Sequence, residues 1–162
     1  MATRTQVQIE MMSGCIHEQM CQAMYEQRHQ RLQLLCGWMS GDAEGARRLF
    51  VRTFVDAWTA DGEPATSLAG LDERLAAAFA SRFRHLFDAG AAPAATSDAP
   101  PPVGLRAAVQ ALPAGQRLLY LLHELEGFTP ARLAEWLDLE PAYCAQLIHQ
   151  ARQRLRGSLL AA

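Results

Sequence analysis

Apolar side chains recur every three or four residues along most of the chain, which is the period of an amphipathic α-helix. This spacing predicts helices over Cys15–Ser40, Asp42–Trp58 and Ser67–Phe87. The expected buried positions in these helices are Ile16, Met20, Met24, Leu32, Leu35, Trp38, Ala46, Leu49, Phe50, Phe54, Ala57, Trp58, Leu68, Leu71, Leu75, Phe79, Phe83 and Leu86. No segment alternates with the period of a strand, so an all-α N-terminal domain is predicted.

The pattern stops at residues 89–102, which consist mainly of Ala, Pro, Ser and Asp and contain three consecutive prolines. Such a composition cannot bury enough apolar surface to fold. We therefore expect two small helical domains, residues 1–88 and 103–162, joined by a flexible Pro/Ala-rich linker.

A pair of short helices with a tight turn is predicted near the C-terminus. Thr129 is a favourable N-cap, and a helix over Pro130–Leu137 would have proline at its first position, where the missing N–H costs nothing. After the turn Asp138–Glu140, a second helix should start at Pro141. The expected buried positions are Leu133, Ala134, Leu137, Cys144, Leu147, Ile148, Ala151, Leu155 and Leu159. Two further helices are expected upstream, at Leu105–Pro113 and Gln116–Glu126. This order predicts a helix-turn-helix domain.

The polar face of the last helix is basic, because no acidic residue follows Pro141. The residues expected to contact DNA are Tyr143, Gln146, His149, Gln150, Arg152, Arg154 and Arg156. A glutamine can pair with adenine through two hydrogen bonds, which is worth about 1–3 kcal/mol. Phosphate contacts by the three arginines would give a dependence of log affinity on log salt with a slope near about −3.

Charge and hydropathy limit the classes of protein that fit this chain. The net charge is −2, and all 15 basic side chains are arginines. A globally basic nucleic-acid binder is therefore excluded, and any DNA contact must rest on a local patch. No apolar run approaches the ~20 residues that cross a bilayer. Met1–Gln8 is polar and does not resemble a signal peptide, so we expect a cytoplasmic protein without membrane insertion.

Candidate catalytic and metal-binding residues do not form recognisable sets. The cysteines are Cys15, Cys21, Cys36 and Cys144, without CxxC spacing, and are expected to be free thiols. His17 and Cys21 would share a helical face, but no second pair has zinc-ligand spacing, so no metal site is expected. No Ser/His/Asp set, glycine-rich phosphate loop or paired carboxylates stand out. We expect neither an enzyme nor a cofactor.

The C-terminal motifs resemble the promoter-reading domain of bacterial sigma factors of the extracytoplasmic-function (ECF) type. The residues that carry this resemblance are Ala111-Leu112-Pro113, Gln116-Arg117, Leu121, Glu126-Gly127-Phe128-Thr129, Leu133-Ala134, Leu137, Ala151-Arg152 and Arg154-Leu155-Arg156. The resemblance implies DNA-templated transcription initiation, with promoter DNA and core RNA polymerase as partners. It also implies control by an anti-sigma or other regulatory protein.

The N-terminal half resembles the sigma domain that binds the polymerase clamp and melts the promoter. The matching residues are Tyr25-Glu26-Gln27-Arg28-His29, Leu32, Gly41-Asp42-Ala43-Glu44, Thr53-Phe54 and Ala57-Trp58. The residues expected to contact the polymerase or another partner are Asp42, Glu44, Arg47, Arg48, Arg52 and Asp56.

Several working positions of that family differ here. Acids and a glutamine on the clamp-binding face are replaced by Gly45, Arg47, Arg48, Val51 and Arg52. In the melting segment, Leu71 and Ala78 stand where a tryptophan and an asparagine are expected, so base stacking is not supplied there. The alternative interpretation is a degenerate sigma-like protein that no longer initiates transcription. It would act as a protein-interaction module or a non-sigma regulator.

Overall fold

A computed structural model of the chain describes residues 22, 26, 28–59, 68–87 and 104–160. All regular secondary structure within these ranges is helical, which confirms the predicted all-α class. The predicted linker at residues 89–102 and most of the first half of the first predicted helix lie outside the described residues. None of the described helices is both long and apolar enough to cross a bilayer.

Three α-helices lie within the described residues of the N-terminal half. They are α1 (residues 28–40), α2 (Ala43–Thr59) and α3 (Leu68–Ser81), followed by a short 3-10 helix at Arg84–Leu86. The predicted extension of α3 to Phe87 is wrong. The Phe83 N–H donates to Ala80 O at 2.9 Å, an i to i−3 bond that tightens the chain into a turn. This turn leaves the Phe83 ring edge-on to Phe79, with 5.3 Å between ring centroids, so packing is kept where the helix ends.

The C-terminal half contains four helices. They are α4 (Leu105–Gln110), α5 (Ala114–Glu124), α6 (Pro130–Leu137) and α7 (Pro141–Leu160). The predicted bounds of α6 are confirmed, whereas α4 and α5 end earlier than predicted. The backbone before α5 is extended at Pro113, with φ −50° and ψ 139°, so α4 cannot continue into it. Gly127, with φ 78°, closes α5 by donating its N–H to His123 O at 3.1 Å.

Buried apolar side chains from both halves form one continuous cluster. The predicted core positions that are buried or packed against this cluster are Leu32, Leu35, Trp38, Ala46, Leu49, Phe50, Phe54, Ala57, Leu71, Leu75, Phe79, Phe83, Leu133, Ala134, Leu137, Cys144, Leu147, Ile148, Ala151 and Leu155. The prediction for Leu159 is wrong, because it is 47% exposed. The last buried position of α7 is Leu155, so the final turn of the helix contributes nothing to the core.

Three arginines connect the two halves through bonds to backbone carbonyls. Each guanidinium donates to a backbone carbonyl at the C-terminal end of a helix in the other half. Helix C-termini carry unpaired carbonyls and partial negative charge, which suits a cation with several N–H donors. The bonds are Arg31 Nη2 to Leu125 O (3.0 Å), Arg84 Nη2 to Trp136 O (2.8 Å) and Arg117 Nη1 to Met39 O (3.0 Å).

A cluster of four charged side chains lies where α1, α3 and the turn after α5 meet. Arg28 Nε is 2.5 Å from Asp72 Oδ1, and Arg31 Nη2 is 3.2 Å from Glu126 Oε2. Desolvation by burial raises the pKa of the Glu126 carboxyl and outweighs the opposing effect of Arg31. Burial likewise raises the pKa of Asp72, against the charges of Arg28 and Arg31. The two halves thus share charged as well as apolar contacts.

Candidate nucleic-acid interface

The turn between α6 and α7 sets the position of the last helix. Thr129 Oγ1 accepts the Arg132 N–H at 3.3 Å and caps α6, as the sequence predicts. At the other end of α6, Asp138 adopts a left-handed conformation with φ 58°. The Leu139 N–H then donates to Ala134 O at 3.0 Å, and Cys144 N–H donates to Glu140 O at 3.1 Å as α7 begins. Both helices pack on the same core, which produces the predicted helix-turn-helix.

The outer face of α7 carries the predicted DNA-contact residues. Cys144, Ile148, Ala151 and Leu155 are buried on the inner side. At 100° per residue, Gln146 and Gln153 lie opposite this buried stripe. The other predicted residues lie on the two flanks: His149, Arg152 and Arg156 on one, and Tyr143, Gln150 and Arg154 on the other. All of the predicted residues are exposed except the half-buried Gln150.

This arrangement places uncharged amides at the centre of the face and arginines on both flanks. A helix in the major groove meets base edges along its middle and phosphates on either side. The distribution of side chains on α7 therefore matches the chemistry of a groove-reading helix.

Gln150 accepts a hydrogen bond from a buried glutamine on α5. Gln116 on α5 is only 6% exposed, and its Nε2 donates to Gln150 Oε1 at 2.8 Å. The bond leaves the Gln150 amide N–H groups as donors. Sequence analysis did not identify Gln116 as part of the site. The feature that could have identified Gln116 from the sequence is its position as a polar residue on the otherwise apolar face of α5.

Arg152 is engaged within the protein. Its Nε donates to Glu124 Oε1 at 2.6 Å, so a phosphate contact by Arg152 would have to compete with this ion pair. Arg154 and Arg156 are exposed, and neither forms a salt bridge with an acidic residue in the described part of the chain. Two arginines, rather than the three expected from the sequence, are therefore available for phosphate.

The predicted partner-contact residues lie along α2, where their acids serve other roles. Asp42 Oδ1 accepts the Gly45 N–H at 2.6 Å and caps the helix. Glu44 is paired with Arg48 at 3.2 Å, and Asp56 forms an ion pair with Arg82. The two remaining residues, Arg47 and Arg52, are exposed, and no salt bridge joins either to an acid in the described part of the chain. The outer face of α2 is consequently basic.

The segment that resembles a promoter-melting region is part of the packed structure. Leu71 is completely buried, and Ala78 is packed against the core. Glu73, on the same helix, forms an ion pair with Arg132 of α6. Helix α3 thus packs between α2 and α6.

The buried cysteines show no sign of reactivity. Burial raises the pKa of Cys36 to about 12 and that of Cys144 to about 11, so both remain protonated thiols at neutral pH. Within the described residues, no three His, Cys, Asp or Glu side chains converge on a possible metal site. Cys15, His17 and Cys21 lie outside the described residues.

Comparison with known families identifies the C-terminal part of the chain. Residues 103–155 match the family model for sigma-70, region 4. This range includes α4, α5, α6 and most of α7, and it covers about a third of the 162 residues. No curated protein matched the chain. The C-terminal part is therefore a sigma-70 region 4-like helix-turn-helix domain, and the protein is sigma-factor-like.

Proposed function

We propose that this protein is an ECF-type sigma factor that directs core RNA polymerase to specific promoters. The observation that carries the proposal is the region 4 match over residues 103–155, together with the exposed polar face of α7. In this function α7 enters the major groove of an upstream promoter element. Gln146, His149 and Gln150 contact base edges, while Arg154 and Arg156 contact phosphates on the two sides of the groove.

Specific binding by this face would be moderately sensitive to salt. Each phosphate contact contributes about −0.9 to the slope of log affinity against log salt, so two free arginines give about −2. The Arg154→Glu/Arg156→Glu variant should abolish this contribution, since both side chains are exposed and their replacement leaves the core intact. Fluorescence anisotropy of the full chain with promoter DNA measures both quantities.

A second candidate function is a degenerate sigma-like protein that no longer initiates transcription. Two observations favour it. The outer face of α2 is basic where the resembling family is acidic, and a like-charged contact at an interface costs several kcal/mol. The complete burial of Leu71 also removes one position of the melting segment from any contact with DNA.

Reconstitution distinguishes the two functions. The protein is mixed with purified core RNA polymerase, and binding is measured by pull-down. The complex is then incubated with a library of genomic promoter fragments, and transcripts are sequenced. A sigma factor should bind the core enzyme and start transcripts at defined positions without any other sigma. A folded protein that binds DNA through α7 but fails in both assays would have the second function.

A further inference from the structure

The N-terminal half carries a pair of adjoining surface depressions on either side of α1. One has a volume of about 550 Å³ and lies between α1 and α2, where it is lined by Gln33, Ala43, Ala46, Arg47, Phe50 and Val51. The other has a volume of about 430 Å³ and is lined by Gln30, Gln33, Leu34, Gly37, Trp38 and Arg106. Gln33 borders both. Together they form the α1–α2 surface.

The floor of this surface is apolar and accessible. Leu34 is 60% exposed and Val51 is 50% exposed. Trp38 and Phe50 are packed against the core beneath them. Each depression has room for several apolar side chains. Burial of one leucine-sized side chain contributes about 1.5–3 kcal/mol to binding. Large exposed apolar residues that adjoin such depressions are typical of protein interaction sites.

The charge at the margin of this surface has one sign. Arg47 and Arg106 line the depressions. Among the residues that the structure describes, none of those lining either depression is acidic. The nearest acids on α2 are occupied, since Asp42 caps the helix and Glu44 pairs with Arg48. The local basic charge contrasts with the net charge of −2 for the whole chain.

We infer that the α1–α2 surface binds an acidic amphipathic helix of a partner protein. Its apolar side chains enter the two depressions, and its carboxylates reach Arg47 and Arg106. The inference rests on the proposed function in assigning α2 to a protein contact, and it adds the chemistry of that partner. Nucleic acid fits less well, because phosphates gain nothing from the apolar side chains of Leu34 and Val51.

The probe for this inference is a pair of synthetic helical peptides of about 20 residues, long enough to span several helical turns. Both have leucines at i, i+3, i+4 and i+7 spacing. The remaining positions are mainly glutamate in one peptide and mainly lysine in the other. Fluorescein-labelled peptides are titrated with the full chain, and anisotropy gives the dissociation constants. The glutamate peptide should bind at least about tenfold more tightly than the lysine peptide, with an affinity that falls as salt rises.

Two variants separate the electrostatic and apolar contributions. Arg47→Glu/Arg106→Glu should reverse the preference, so that the lysine peptide binds more tightly. Val51→Ser should weaken both peptides by several fold without changing their order. Arg154→Glu/Arg156→Glu, which changes α7 alone, is the matched control and should leave peptide binding unchanged. Circular dichroism verifies that each variant is folded.

Three results would overturn the inference. They are equal affinities for the two peptides, absence of binding by both, and an affinity unaffected by Arg47→Glu/Arg106→Glu. Self-association in light scattering that is lost in the same variant would assign the surface to a second copy of the chain instead. DNA binding by α7, measured on the same preparations, reports on the proposed function independently, so failure of one is distinguishable from failure of the other.

Discussion

At the scale of single residues, the most informative side chain is Gln116. A buried amide is costly unless it is hydrogen-bonded, and Gln116 places its Nε2 on Gln150 Oε1. The bond joins α5 to α7. Gln116 thus orients Gln150, to which the proposed function gives a base contact. Arg152 and Glu124 form a second link of the same kind between α5 and α7.

We predict that Gln116 and Gln150 are energetically coupled. Gln116→Ala, Gln150→Ala and the double variant should give a coupling energy of about 0.5–1.5 kcal/mol in urea denaturation. Gln116→Ala should also weaken binding to DNA that contains adenine opposite Gln150, although Gln116 touches no base. A coupling energy of zero would show that the two amides do not meet in solution.

At the scale of helices, the turn between α6 and α7 depends on one left-handed residue. Asp138 has φ 58°, a conformation that disfavours residues with a Cβ and that glycine adopts freely. This conformation ends α6 and allows the chain to reverse within three residues before Pro141. Sequence analysis placed the turn correctly, because the spacing between Leu137 and Pro141 left no room for another helical turn.

We predict that glycine is more stabilising than alanine at residue 138, and that alanine is more stabilising than glycine at residue 135. At Asp138, the glycine variant should be more stable than the alanine variant by about 1 kcal/mol, because alanine is strained at positive φ. At the exposed helical position Glu135, the alanine variant should be more stable than the glycine variant by about 1 kcal/mol. Thermal or urea unfolding of the four proteins measures both differences. The same order at both sites would contradict a left-handed residue 138.

At the scale of the whole molecule, the two halves pack directly against each other. Phe87, just after the 3-10 helix, approaches Gly115 at the start of α5. A Cβ at Gly115 would lie 2.9 Å from Phe87 Cε1, a distance that requires the ring to move. Hydrogen bonds from Arg31, Arg84 and Arg117, and the ion pair between Arg31 and Glu126, also join the two halves. The sequence predicted two separate helical domains and did not predict this direct packing of one half against the other.

We predict that a methyl group at Gly115 destabilises the protein, whereas one at Gly157 stabilises it. Gly157 is a helical residue with open space around its Cα, so Gly157→Ala should raise the free energy of unfolding by about 0.5–1 kcal/mol. Gly115→Ala should lower it by about 1 kcal/mol or more, because it forces Phe87 from its place. If urea denaturation showed both variants to be equally stabilising, this result would contradict the close contact between Phe87 and Gly115.

We predict that Glu126 makes stability depend on pH. Its carboxyl has a pKa raised from the ordinary value of 4.5, chiefly by desolvation, so the folded protein holds this proton more tightly than the unfolded chain does. The resulting stabilisation is complete below the ordinary pKa and is lost as pH rises through the raised pKa. Glu126→Gln removes this loss, so its stability relative to the natural protein should increase with pH over that interval.

Chemical denaturation at a series of pH values tests this prediction. The difference between Glu126→Gln and the natural protein should grow with pH and then level off. Gln33→Asn, which changes an exposed amide and no titratable group, is the control and should show no such growth. A difference that shrinks with pH would mean that Arg31 stabilises the ionised carboxylate more than burial disfavours it.

The pattern of residues along the chain was enough to predict the helical class, the bounds of α6 and the exposed polar face of α7. These features depend on near neighbours: the cap Thr129, the proline at position 130 and apolar residues at a spacing of three and four. Local interactions of this kind are encoded within a few residues, so a periodic pattern is enough to find them.

Packing between helices, by contrast, sets which polar groups remain available for contact with other molecules. Arg152 is neutralised by Glu124, Gln150 is held by Gln116, and Leu71 is withdrawn into the core. It also decided that Arg31, Arg84 and Arg117 connect the halves. Each of these contacts joins residues on different helices, and a pattern along one helix contains no information about what another helix will place opposite it. Interactions between near neighbours in the chain therefore set the helix bounds and faces, whereas three-dimensional packing sets the contacts between helices.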